Sequence, residues 1–499
     1  MSNKNFMSYG DAETLFTEVG RKISEAVSAS GGGAIFRITD PSGDYEGATV
    51  KLTHGSTIVT GTISSGSCII SITEVGAIKV EIGSDIVRYV TIPYFKDVNI
   101  STRTVYGFRK AKAVSNPAKR VEYLNDAVGY TPAGMDYSND VFDYGDWENT
   151  FFMPRPCMLK TNGEVAYYLD PDDYTKKEDG TASDIADSSF DGDVMIEFPK
   201  IWVYRYEDQN YTYCYIADHK VDNNYKCYAN MDAEGNEIDR FYVAAYDGSI
   251  VSNKLRSLSG VAPANTIAGT TFIADALAKN TGSDYTKNGW YISQWCDRAL
   301  INDLLVLIGK STDTQTVFGK GHNSGGSSAD SLIASGTLNA KGMFYGKNVD
   351  GYAVKVFGIE NYFGNLWKWC AGLMASGANL YAKMTWGTQD GSAGVGYGTT
   401  AVSTSKNLGK AASGTSGGYI SNTYNSEFGD VPITASGSSD TYECDGLWFT
   451  SSGVLYALVG GACRYGLLVG AFALLVTAAV SDSYWYVGAA LSCKPPNAA

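Results

Sequence analysis

Between Ala34 and about Ile100 apolar residues recur at every second position, in short runs separated by turn residues. That period commits the region to β-structure, because successive side chains of a strand point to opposite faces. The runs are Ala34-Ile35-Phe36-Arg37-Ile38, Ala48-Thr49-Val50-Lys51-Leu52, Ser56-Thr57-Ile58-Val59, Cys68-Ile69-Ile70-Ser71-Ile72, Ala77-Ile78-Lys79-Val80-Glu81-Ile82 and Val87-Arg88-Tyr89-Val90-Thr91-Ile92. Turn signals at Pro41-Ser42-Gly43, His54-Gly55 and Ser65-Gly66 punctuate them. Strands of this length at this spacing predict a small antiparallel β-sandwich over residues 33–100.

Upstream the period changes. Leu15, Val19, Ile23 and Val27 stand four apart, and Gly31-Gly32-Gly33 follows, which predicts an amphipathic N-terminal helix within 1–32. Its expected role is attachment or oligomerisation. Downstream, 101–150 reads as a connector. The Asp-rich stretch 170–193 lacks the residue order of a calcium loop and reads as a solvated loop. Strand-like text resumes from Val194 to Tyr204, with Tyr-rich ribbons near Tyr211 to Tyr215 and Phe241 to Tyr246. Helices are predicted from Thr271 to Ala278 and from Ile292 to Gly309, and Gly/Ser/Thr-rich surface excursions from Ser376 to Ser438.

A chain of 499 residues exceeds one ordinary core, so several domains are expected. Its 39 Lys and Arg against 53 Asp and Glu leave a formal charge of −14, which argues against nucleic acid as a partner. Only His54, His219 and His322 are present, far apart, which disfavours histidine catalysis and a multi-His metal site. Nine dispersed cysteines without a C-x-x-C pair read as reduced core thiols. The start of the chain has no basic-then-apolar signal pattern, so synthesis and folding in a cytoplasm are expected. The apolar run Gly466 to Val480 is shorter than the roughly 20 residues of a membrane helix, and Arg464 interrupts its extension, so no membrane insertion is expected.

Two strings carry a resemblance. The first is Phe357-Gly358-Ile359-Glu360-Asn361-Tyr362-Phe363-Gly364-Asn365-Leu366-Trp367-Lys368-Trp369, in which Gly364 permits a turn, Asn365 can satisfy loop backbone, and Trp367 and Trp369 share a strand face. It resembles the N-x-x-G-N-[VL]-W-x-W signature of the formylglycine-generating-enzyme branch of C-type lectin folds. The second runs from Gly446 to Cys493. Its frame is Gly460-Gly461-x-Cys463-x-x-Gly466, Gly470-Ala471-Phe472 and Ser481-x-Ser483-x-Trp485-x-Val487-Gly488. This is similar to the variable region of diversity-generating retroelement target proteins, C-type lectin domains often found on phage tail fibres. The immunoglobulin-like or prealbumin-like spacers of surface and tail proteins resemble the upstream sandwich.

The resemblance implies a multidomain chain: an N-terminal helix, the small sandwich, then an α+β C-type-lectin-like fold over 151–499 with a variable region at about 453–492. Matching the frame places the family's variable, ligand-binding positions on Leu455, Val459, Ala462, Arg464, Tyr465, Leu475, Thr477, Asp482, Tyr484 and Tyr486, with Leu467, Leu468 and Val469 adjoining. Apolar residues at such contact positions, beside apolar framework residues, would account for the membrane-like run. Tyr484 and Tyr486 flank Trp485 at period two and should project opposite to it. Mutagenised AAC codons cannot encode Lys, Glu, Gln, Met or Trp. From Gly453 to Ser492 the first four are absent, and the single Trp485 stands on a frame position.

The implied function is a phage tail-fibre tip or receptor-binding protein that mediates host attachment, located in the virion and made in the host cytoplasm. Its implied partners are a host cell-surface receptor (protein or glycan), other tail proteins and two further copies of itself in a homotrimer. The alternatives are a bacterial surface-displayed ligand-binding protein of the same retroelement family, or an oxidase like the formylglycine-generating enzyme. The oxidase would need two cysteines close together near the frame, whereas Cys463 is thirty residues from Cys493. No Ser/His/Asp or Cys/His set is evident, so no catalytic residue, metal or cofactor is assigned.

Overall fold

The computed structural model describes residues 33–84, 86–92, 96–383, 406–411 and 415–495. The predicted N-terminal helix lies outside these residues. The chain divides into two compact units, Met1–Thr104 and Val105–Ala499.

In the first unit the alternating runs form two sheets. One has the order Ser67–Ile72, Ala34–Thr39, Lys96–Ser101, and the other Thr57–Thr62, Thr49–His54, Gly76–Ile82, Ile86–Ile92. Burial follows the sequence period: along Ser67–Ile72 every second residue is buried. Phe36, Ile38, Val50, Leu52, Ile70, Val80 and Ile92 meet in one core. The sheets are not wholly antiparallel, because Ala34–Thr39 pairs in parallel with Lys96–Ser101. The last strand returns beside the first only after the chain has built the second sheet between them, which allows either direction.

The second unit overturns the expected α+β fold. Strands account for 40% of the structure and helices for 10%, and three large sheets dominate. A six-stranded sheet has the order Val165–Tyr168, Arg155–Leu159, Asp193–Pro199, Arg240–Ala244, Leu491–Cys493, Trp290–Ile292. A four-stranded sheet joins Trp202–Glu207, Tyr211–Ala217, Val105–Ala111 and Val121–Asn125, so part of the expected connector is sheet. A nine-stranded sheet runs Lys406–Ala411, Asn379–Ala382, Trp367–Ser376, Val454–Val459, Leu474–Ala478, Gly446–Phe449, Thr415–Ser426, Gly429–Ala435, with Val487–Gly488 added in parallel to Trp367–Ser376. The predicted surface excursions of 376–438 thus contribute several of its strands. Tyr, Thr, Val and Ile supply the β-propensity here, and the helix-forming runs are too few to balance it.

Two predicted helices are present with shifted starts, at Gly269–Leu277 and Trp295–Gly309. The second begins three residues late because Trp290–Ile292 is a strand paired with Leu491–Cys493. Every residue of Trp295–Gly309 is buried. It ends where Lys310 takes a left-handed φ of 48°.

The frame of the C-terminal region is built around Val454–Val459. Leu455, Ala457 and Val459 point into one core, Tyr456 and Leu458 into another. A strand buried on both faces reads as a continuous apolar run. That explains the membrane-like text: within 466–480 the chain makes a 3-10 turn at Gly466–Leu468 and the strand Leu474–Ala478, which is buried except at Thr477. Among the described residues no helix is long and apolar enough to cross a membrane.

Candidate binding face

The Phe357 to Trp369 string anchors this region from below. Gly364 (φ 81°) and Asn365 (φ 63°) form a left-handed turn, and a Cβ on Gly364 would press on the His322 backbone. The Gly364 N–H donates to Gly460 O (3.0 Å), the Cys463 N–H to Asn365 O (3.0 Å), and the Trp367 N–H to Tyr486 O (2.9 Å). Beneath them Asp247, fully buried, accepts from Asn365 Nδ2 (2.8 Å) and Asn361 Nδ2 (3.2 Å) and pairs with Lys368 Nζ (3.0 Å). Trp367 and Trp369 both pack into the same core. Burial pushes the Lys368 ammonium down from its ordinary range, against the pull of Asp247.

The ten sequence-predicted contact positions separate into two groups. Leu455, Val459, Ala462 and Leu475 are at most 9% exposed and belong to the cores. The strands Val454–Val459 and Leu474–Ala478 pair with each other inside the nine-stranded sheet, so these side chains have packed neighbours on the faces they occupy. Arg464, Thr477 and Tyr484 are exposed, and Tyr465, Asp482 and Tyr486 are half-buried. Of the adjoining residues, Leu467 is exposed, Leu468 half-buried and Val469 buried.

Four residues of the second group form one aromatic and cationic cluster. Tyr484 and Tyr486 stack at 5.3 Å with planes 15° apart, and Tyr465 meets Tyr486 edge-on at 5.9 Å. The Arg464 guanidinium lies 5.0 Å from the Tyr486 ring, 5.7 Å from Tyr465 and 5.9 Å from Trp485, all within cation–π range. Trp485 also touches Tyr486 edge-on at 5.4 Å. The expected opposition between Trp485 and its two tyrosines therefore fails. Strand geometry begins only at Val487, and residues 485–486 are a turn, so period two does not apply.

Two tryptophans that the frame match did not mark complete the floor. Tyr465 sits edge-on between Trp448 (5.1 Å) and Trp367 (5.7 Å), which contact each other at 5.4 Å. Trp448 lies upstream of residue 453; the available signal was the Gly446-Leu447-Trp448-Phe449 strand pattern. Asp482 is committed to its own turn, with Oδ2 accepting from Ala479 N–H (3.0 Å). Burial pushes the Tyr465 hydroxyl up, and Tyr486 adds to the shift. Tyr484 is raised too, first by burial and then by the Asp482 charge.

The nine cysteines are free and buried. His54 Nδ1 lies 3.0 Å from Ala77 O, His219 Nδ1 is 2.6 Å from Asp218 Oδ1, and His322 Nε2 is 2.8 Å from Ser331 O, three separate sites. Among the described residues no three His, Cys, Asp or Glu side chains converge as metal ligands.

No family model matches the chain, and no curated protein matches it. Among solved structures the likeness is to tropism determinants. A Major Tropism Determinant P3c variant is 12% identical over 85% of this chain and 82% of its own, with a TM-score of 0.23. A Major Tropism Determinant U1 variant is 11% identical over the same shares, also at 0.23.

Proposed function

We propose that this chain is a receptor-binding protein of a phage tail fibre, and that it attaches to the host through the C-terminal aromatic face. The observation that carries this reading is the cluster of Arg464, Tyr465, Tyr484 and Tyr486, four positions that match the variable positions of the resembled frame, on a hydrogen-bonded scaffold. Tyr and Arg are the residues that dominate binding hot spots, since they offer large contact area at low entropic cost. Loops that vary on a fixed sheet are a sound way to change specificity without endangering the fold. Leu455, Val459, Ala462 and Leu475, if exchangeable, would act through packing and not through contact. The virion would be the site of action.

The test joins binding to genetics. Replacing Tyr484 and Tyr486 together with Ser should abolish adsorption to host cells while leaving the melting temperature nearly unchanged. Unaltered adsorption would move the binding site elsewhere. The diversification half requires a neighbouring reverse transcriptase and a near-identical template repeat. A template without adenines at the codons for Arg464, Tyr465, Tyr484 and Tyr486 would refute it.

A further inference from the structure

Resting on that reading, the geometry points to an acidic glycan as the ligand class, with Arg464 as the anchor for its carboxylate or phosphate. Arg464 and Asp482 are the only charged residues between Gly453 and Ser492. Asp482 is turned onto the Ala479 amide. Among the described residues Arg464 forms no ion pair and no hydrogen bond, although it is exposed. Its partners are the three rings of Tyr465, Trp485 and Tyr486. An arginine held by cation–π contacts alone has no anion spoken for, and its planar fork of N–H groups is free to take a carboxylate or phosphate in a bidentate manner.

The carrier of the anion follows from what surrounds the arginine. The aliphatic positions Leu455, Val459, Ala462 and Leu475 are buried, so the surface around the arginine offers aromatic rings, with Leu467 an exposed aliphatic side chain three residues along the chain. What remains is tyrosine: Tyr484 is 41% exposed and stacks on the half-buried Tyr486. Rings and hydroxyls suit the C–H faces and hydroxyls of sugars. The net charge of −14 would repel a polyanion at long range, but at physiological ionic strength that field is screened within about 8 Å. The attraction is therefore a contact effect of one residue.

The full chain is tested by biolayer interferometry near physiological ionic strength on immobilised polygalacturonate (carboxylate), poly(ribitol phosphate) teichoic acid (phosphate), neutral dextran and polyaspartate. The expected result is retention on one or both acidic glycans and not on dextran, with Arg464→Gln weaker by about tenfold to a hundredfold, the worth of a charged hydrogen bond. Which acidic polymer is held separates a uronic-type from a phosphate-type source. Equal retention of Arg464→Gln, equal binding to dextran, preference for polyaspartate, or retention on neither acidic glycan overturns the inference. Host adsorption separates the two levels. Loss in the Tyr484→Ser, Tyr486→Ser variant with no change in Arg464→Gln removes the anion anchor and leaves the binding face standing. No change in either variant removes the face as well.

Discussion

Asp247→Ala should destabilise the second unit by about 3–5 kcal/mol, the cost of leaving one partner of a buried ion pair uncompensated. The carboxylate is fully buried, Lys368 lies 3.0 Å from it, and the Asn361 and Asn365 amides donate to its other oxygen. Without it the Lys368 ammonium keeps only carbonyl acceptors, Asn361 O at 2.6 Å and Leu366 O at 3.5 Å. Over the roughly 400 residues of this unit, an unfolding entropy of about 2 cal/mol/K per residue turns that cost into a melting shift of about 4–6 °C. All nine tryptophans lie beyond Thr104, so equilibrium urea unfolding followed by tryptophan fluorescence reports this unit alone. The double variant Asp247→Leu, Lys368→Met removes both charges and should recover most of the loss, because an apolar replacement has no ion to solvate. A single-variant cost below about 1 kcal/mol, or a double variant as unstable as the single, would refute the role of Asp247 as the hub beneath the binding face.

Three further outcomes are expected. Leu475→Ala should cost about 2–4 kcal/mol, as a truncation in a closed core does, while Tyr484→Ser should stay within about 0.5 kcal/mol; denaturation midpoints check both. Burial pushes the Lys355 ammonium down to about 7, whereas the unfolded chain holds that proton to about pH 10.4. The unfolded state thus binds more protons across this window, so the Lys355 contribution to stability rises with pH from about 7 to 10 and is flat below it; Lys355→Met should remove that rise from a pH series of urea midpoints. Ellman's reagent should find almost no reactive thiol in the native protein and nine in guanidinium, since every cysteine is buried and free.

Much of the local structure was legible because the residues that set it are neighbours in the chain. Alternation along Ser67–Ile72 and Gly76–Ile82 marked strands with one buried face. The Trp295–Gly309 helix carried its own period, although its start was hidden by the strand partner of Trp290–Ile292, which arrives some two hundred residues later. The turn at Gly364 was legible too, since a left-handed backbone favours glycine, and so was the role of Asn365 in satisfying loop backbone, which it does by exchanging hydrogen bonds with Ile333. The expected α+β class failed because motif strings specify a turn and a strand pair. They do not specify how many other strands join them.

For the binding face, residue types and their place near the C-terminus came from the sequence alone: text with one arginine and one aspartate as its only charges, tyrosines at 465, 484 and 486, and glycines where the chain must turn. Which of those positions meet solvent did not. A strand covered on one face and a strand covered on both can carry the same apolar residues, and only the two cores, one holding Leu455 and Val459 and the other Tyr456 and Leu458, show that neither face of this strand is free. Likewise Arg464 and Tyr486 are twenty-two positions apart, and their cation–π contact exists because Gly460 and Tyr486 are each hydrogen-bonded to the Gly364–Trp367 turn. Periodicity reports the neighbours a residue has along the chain; tertiary structure decides the neighbours it has across it.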